Sequence, residues 1–283
     1  MKEEYLLVTI HTSPGDRDAF ADILWTEGSL GFQESEAEGR LEISSWFLPG
    51  RDEVEKRIRE HAENRSIRYY ECSSERSSYD PDEWVARFSH SFPGVELDDR
   101  FFIHPPWIEP APRFPVNIMI EPGHAFGTGT HESTQLALLA IAPISGTAES
   151  FLDVGTGSGI LAAAAGRMSP NLDLAVCDID DMALESAVET LHKNGITRFR
   201  AVTGGAEEFR GTSFQVVAAN LTSPVIRKLS PELVGLAGEF LVLSGFTEDQ
   251  YEITLEAFLN QEFREDSVYN RNGWMSSRLR KIL

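Results

Sequence analysis

The stretch "FLDVGTGSGILAAAAG", residues 151–166, decides the fold. An apolar run ends at Asp153 and Val154, glycines follow at 155, 157 and 159, and an alanine-rich segment begins at once. This reads as a strand, a tight turn and a helix in immediate succession. Without side chains in the turn, the backbone can approach a ligand closely, while the helix N-terminus presents free N–H groups to it. The spacing is G-x-G-x-G, with Ile160 where the dinucleotide fingerprint G-x-G-x-x-G needs its third glycine, which argues against a nicotinamide ligand.

Downstream the unit repeats. "LDLAVCD" leads into "DMALESAVETLHKNG", "FQVVAAN" into "SPVIRKLSPELVGL", and "EFLVLSG" into "EDQYEITLEAFLN"; "EFREDSVYN" and "GWMSSRLRKIL" can close as a final pair. Continuous apolar strands alternating with helices predict a largely parallel α/β sheet covered on both faces, with ligands at the carboxyl ends of the strands. Asp178 ends the strand after the glycine turn, 23 residues beyond Gly155, where a carboxylate can accept from both hydroxyls of a ribose. Asn220 ends a further strand, and its amide oxygen can accept from an amine. Leu221 and Thr222 follow it, with no aromatic to stack a flipped base, which disfavours chemistry on a nucleic-acid base.

Upstream, "EPGHAFGTGTHESTQLALLA", residues 121–140, is a second glycine-rich segment running into a helix, so a ligand touched from two sides is expected. The N-terminal part has a different rhythm. "EYLLVTIHT" reads as a strand, "GDRDAFADILWTEG" as a helix with Phe20, Ile23 and Leu24 on one face, and "GFQESEAEG" and "RLEISSWF" as a hairpin around Gly39. "RDEVEKRIREHAEN" is a second helix and "IRYYECS" a closing strand, giving the βαββαβ order of a ferredoxin-like α+β domain. The polar run "SSERSSYDPDE", residues 73–83, reads as a linker, and Trp84, Phe88 and Phe92 recur every four residues on a short helix after it. The expected divisions are 1–74 for the small domain, 75–94 for the linker and its helix, and 95–283 for the α/β domain.

Composition narrows the classes. With 41% hydrophobic and 25% charged residues the chain is neither disordered nor fibrous, and "ILAAAAG" is far too short to span a bilayer. A cytoplasmic protein without membrane association is expected. Cys72 and Cys177 stand alone, and His124 and His131 are seven apart across a glycine turn, so neither a disulfide framework nor a metal site is predicted. The net charge is -20, with 10 basic and 18 acidic residues over 1–80 and 15 and 27 over the rest. Such a surface repels DNA and steers a basic partner, although it also serves solubility.

At this point a resemblance becomes specific. "EPGHAFGTGTHESTQLAL", "LDVGTGSGILAAAA", "VCDID" and "AANL" stand in the order and approximate spacing of the ribosomal protein L11 methyltransferase family, and "DEWVARFSHSFPGVEL" and "PPW" extend the likeness upstream to about residue 80. The chain is similar to that family over roughly residues 80–250. Asp181 stands where many relatives have Pro, and "NLTSP" departs from the usual residues after the Asn.

The resemblance implies a Rossmann-like class I methyltransferase domain and S-adenosyl-L-methionine as cofactor. It implies cofactor contacts from Thr134, Gly155, Asp178 and Asn220. Gly157 belongs to the same turn, and Phe126, Gly127, Thr128 and His131 to a loop over the methionine end. It further implies methyl transfer to lysine ε-amines and the α-amine of ribosomal protein L11, with Asn220 holding the amine and the N-terminal domain gripping the substrate; a monomer is expected. A related enzyme with another basic protein target, or a cofactor-binding regulator without catalysis, are the competing readings.

Overall fold

The computed structural model describes residues 3–29, 31–37, 39–47, 53–65, 67–79, 94–121, 127–259 and 262–282. The chain divides into two units, Met1–Phe92 and Pro93–Leu283. Among the described residues no helix is long and apolar enough to cross a membrane, and no group of three or more His, Cys, Asp or Glu is placed to hold a metal ion.

In the first unit, β1 (Glu3–Thr12), α1 (Arg17–Thr26), β2 (Gly31–Ala37), β3 (Arg40–Phe47), α2 (Val54–Asn64) and β4 (Glu71–Tyr79) follow the βαββαβ order. The sheet order is β2-β3-β1-β4 with every neighbour antiparallel, the split βαβ arrangement. Its core is assembled by periodicity: Leu6, Val8 and Ile10 alternate along β1, while Phe20, Ile23 and Leu24 of α1 and Val54, Ile58 and Ala62 of α2 supply the covering stripes. The closing strand differs from its expected place. It starts at Glu71 and runs through Tyr79, so residues 75–79 are strand rather than linker. β4 is an edge strand paired with β1, and among its positions of described burial (71–76) Cys72 alone belongs to the buried core, so the hydrophobic pattern lapses where the strand continues. Trp84, Phe88 and Phe92 lie outside the described residues.

The second unit opens with a small sheet of β5 (Val95–Leu97), β6 (Phe101–His104) and β7 (Val116–Met119). These strands of three and four residues, set among prolines, carry too little pattern to be read from sequence. After α3 (Glu132–Ser145) come β8 (Ser150–Val154), α4 (Ile160–Met168), β9 (Asp173–Asp178), α5 (Asp181–Lys193), β10 (Arg200–Thr203) and β11 (Phe214–Asn220). The segment after β11, expected as one helix, is two, α6 (Ser223–Lys228) and α7 (Ser230–Leu236), because Pro231 cannot continue a helix from the preceding turn. Then follow β12 (Ala237–Thr247), α8 (Tyr251–Leu259), β13 (Phe263–Arg271) and β14 (Trp274–Lys281).

The large sheet has the order β10-β9-β8-β11-β12-β14-β13, parallel except for β14, which lies antiparallel between β12 and β13. The strands are apolar on both faces for a visible reason. Phe151, Leu174, Val176, Val216 and Ala218 pack with α3, α4 and α5, while Leu152, Val154, Cys177, Val217 and Ala219 pack with α6, α7 and α8. The chain leaves β8 for one side of the sheet and reaches β11 on the other, so their adjoining carboxyl ends form the switch point at which ligands bind in such sheets.

Candidate active site

The turn after β8 is bound to its neighbour strand through its backbone. The N–H groups of Gly155 and Thr156 both donate to the Cys177 carbonyl, at 2.9 and 3.0 Å. Gly157 donates its N–H to Asp178 Oδ2 at 3.0 Å, and Asp180 N–H donates to Asp178 Oδ1 at 3.1 Å. The half-buried Asp178 carboxylate is thereby fixed against the glycine turn, with lone pairs on both oxygens left over for other donors. Ile179, next along the chain, is 83% exposed and Met182 is 53% exposed, two apolar side chains just past the carboxyl end of β9. Gly159, at φ +81°, is the N-cap of α4, and a Cβ there would stand 2.9 Å from Ala187 Cα.

Beneath the turn lies Asp153, almost wholly buried. Its Oδ2 accepts from Thr156 Oγ1 at 2.8 Å and from the N–H of Ala162 at 3.2 Å. Loss of solvent pushes its carboxyl up to about 7, the two hydrogen bonds oppose that rise, and the nearby Asp178 charge adds to it. A carboxyl raised above its unfolded value binds its proton more tightly in the folded chain. Its stabilisation is fully present below about pH 4, near the unfolded pKa, and is lost as pH rises through about 7. Asp153→Asn keeps an oxygen for both donors and removes the titration. Its melting temperature is therefore expected to gain on the natural protein steadily between pH 4 and pH 7, measured by thermal unfolding across that range. A difference that does not change with pH contradicts the assignment.

A second corner forms where β11 ends. Asn220 Nδ2 donates to Thr134 Oγ1 at 3.3 Å, while Asn220 Oδ1 is buried and finds no hydrogen-bond donor among the described residues. The site is tight behind it: Gly245, at φ +95°, would place a Cβ 2.4 Å from the Leu221 carbonyl oxygen and 3.0 Å from Asn220 Oδ1. Leu221 N–H donates to the Ser244 carbonyl at 3.0 Å, and Ser244 Oγ donates to the Ser133 carbonyl at 2.8 Å. These bonds bolt the first turn of α3 to β12 and so fix Thr134 relative to Asn220. A buried acceptor left without a partner by the described residues is an invitation to a donor from a ligand.

The loop ahead of α3 meets the turn after β8. Ser158 Oγ donates to the Gly127 carbonyl at 2.7 Å, and the Cβ that Gly129 lacks would stand 2.7 Å from Ile103 Cδ1. Thr128 and Thr130 share a hydroxyl hydrogen bond of 3.1 Å. His131 is the N-cap of α3, its Nδ1 accepting from Ser133 N–H at 3.2 Å, with its ring edge against Trp274. The two glycine-rich segments of the sequence thus adjoin.

Gly155, Gly157 and Asp178 come together in one cluster, Asn220 and Thr134 in another, and Gly127 joins the turn through Ser158. Thr134, expected against the cofactor, is fully buried and spends its hydroxyl on Asn220. Phe126 lies outside the described residues. Sequence reasoning missed Ser158, whose place inside the glycine turn was its only signal, and Gly245, which matters only because β12 lies beside β11.

This strand order, with β14 reversed, a glycine turn after β8 and an acid ending β9, defines a class I methyltransferase fold. A solved ribosomal protein L11 methylase from Lactobacillus delbrueckii subsp. bulgaricus superposes with a TM-score of 0.61 at 25% identity, covering 67% of this chain and 97% of that one. The model of the family "Ribosomal protein L11 methyltransferase" matches residues 4–281, and the chain belongs to that family. Relatives of that name include proteins of Syntrophotalea carbinolica, 34% identical over 68% of this chain, and Helicobacter pylori, 32% identical over 70%. The matched stretch spans 64% and 60% of the length of those two relatives.

Proposed function

We infer that the protein transfers methyl groups from S-adenosylmethionine to amines of ribosomal protein L11, the lysine ε-amines and the α-amine. The observation that carries this reading is Asn220 Oδ1, buried without a donor among the described residues and oriented by Thr134 at the switch point of the sheet. The residues fit such a cofactor. Asp178 has lone pairs for both ribose hydroxyls, Ile179 and Met182 offer apolar surface to a flat base, and the glycine turn gives its backbone close access. The cofactor supplies a methyl group on a positively charged sulfur, already activated for in-line displacement.

The chain's own part is alignment. Asn220 Oδ1 accepts an N–H of the incoming amine and leaves its lone pair directed at the methyl group. A free lysine has a pKa of roughly 10.4, and desolvation in the closed site beside a positive charge favours the neutral amine, so no dedicated base is needed. An amine-holding corner serves no purpose in a regulator that only binds cofactor. The -20 net charge favours a basic protein partner, and the N-terminal ferredoxin-like unit, which holds none of the cofactor residues, is the part we assign to gripping it.

Incubating the full-length protein with methyl-labelled cofactor and a ribosomal extract tests this. Label is expected in L11 alone, with a yield that falls as salt is added, because steering between opposite charges is screened. Label in a different basic protein would move the substrate assignment. Cofactor binding without any transfer would leave only the regulator.

A further inference from the structure

Gln135 stands on the first turn of α3, next to Thr134. Its Nε2 donates to two backbone carbonyls of the loop before it, Gly129 at 3.1 Å and Thr130 at 3.1 Å. Its Oε1 accepts from the guanidinium of Arg271, at the tip of the β13–β14 hairpin, 136 residues further along the chain. The orientation of the amide follows from these partners. Flipped, it would point its NH2 at the guanidinium and its oxygen at two carbonyls, replacing three attractions with three repulsions.

The rest of the hairpin tip grips the same helix turn. Asn272, at φ +51°, donates Nδ2 to Glu132 Oε1 at 3.0 Å, and the Trp274 ring meets His131 with 4.6 Å between centroids at 74°. The loop end so held is the one whose Gly127 carbonyl is bonded to Ser158 in the glycine turn, and the helix turn so held carries Thr134, the partner of Asn220. A single rigid object therefore links the hairpin tip to both halves of the site.

We propose that the β13–β14 hairpin tip clamps the loop 127–131, with Arg271 and Gln135 as positioning residues that set where this loop lies over the ligand. The inference rests on the cofactor reading above. Its consequence is that a surface contact made by residues outside the cofactor set tunes cofactor retention. Residue 135 must be both an acceptor toward the hairpin and a donor toward the loop, a pair of demands that glutamine meets and glutamate does not.

Hydrogen exchange at the amides of 127–131 in the free protein, together with calorimetric titration of S-adenosylmethionine, tests the clamp. Gln135→Glu keeps or strengthens the contact to Arg271 but loses both donors to the loop. It is expected to speed exchange in 127–131 and to weaken cofactor binding, each by about fivefold or more, the scale of one or two lost hydrogen bonds. Arg271→Met should move both readings in the same direction by less, and Arg271→Lys, which keeps a donor, should restore most of the effect. The double variant Gln135→Glu with Arg271→Met should exchange no faster than Gln135→Glu alone, since the second change acts only through the first. Unchanged exchange at 127–131 in Gln135→Glu, or fully additive effects, would overturn the clamp. Should the natural protein bind no cofactor, the function reading fails, while the exchange data still decide the clamp by themselves.

Discussion

Asn220→Ala is expected to slow methyl transfer by about a hundredfold or more, the cost of misplacing a reacting group, while raising the cofactor dissociation constant only severalfold. The argument starts from an atom. Asn220 Oδ1 is buried and has no donor among the described residues, and the amide that carries it is held by Thr134 Oγ1. An acceptor kept dry and unpaired is poised to bond an amine that has just lost its own water, and the bond matters most when the lone pair is lined up for displacement. Contacts of this kind lower the barrier more than they tighten ground-state binding. Single-turnover rates with saturating cofactor, set beside calorimetric affinities, separate the two effects. Equal losses in both would reduce Asn220 to a cofactor contact and leave the amine without a holder.

Gly159→Ala is expected to cost the second unit about 2–5 kcal/mol, combining the left-handed backbone penalty with overpacking. Gly159 sits at φ +81°, and the added methyl would meet Ala187 Cα at 2.9 Å and its carbonyl oxygen at 3.1 Å. These are backbone atoms of α5, so nothing flexible can yield. Gly211→Ala is the control: at φ +82° none of the described residues lies within 4 Å of the new Cβ, so the backbone penalty of about 1–2 kcal/mol remains. Denaturant unfolding of the three proteins measures both numbers. A Gly159→Ala protein no less stable than Gly211→Ala would show that α4 and α5 do not need this close approach.

The contrast between these glycines also explains what could be read in advance. Gly155, Gly157 and Gly159 announce a ligand turn because their spacing is local, and Asp178 and Asn220 announce themselves as strand ends because the apolar runs before them are long. The doubly wound sheet follows from those same runs, buried on both faces. Contacts made by strand order are invisible to such reading. That Gly245 backs Asn220, that Ser244 holds Ser133, and that Arg271 reaches Gln135 all depend on which strands become neighbours. Thr134 illustrates the middle case. Only the family resemblance singled it out, as a cofactor contact, whereas the use of its hydroxyl, given to Asn220, required the fold.

Edges of elements behaved in the same way. β4 continues through a serine-rich stretch because as an edge strand it is held by pairing to β1 rather than by packed side chains, and β5 to β7 are too short for any period to emerge. Both are cases where tertiary pairing, rather than the segment's own pattern, decides the conformation.

We propose that the switch point between β8 and β11 holds the cofactor between Asp178 and Asn220. A crystal structure of the protein with S-adenosylhomocysteine, the demethylated product, tests it most directly. Both ribose hydroxyls are expected within about 2.7–3.2 Å of the Asp178 carboxylate, with the base against Ile179 and the sulfur on the side of Asn220. A ligand bound elsewhere, or one whose ribose makes no bond to Asp178, would contradict it.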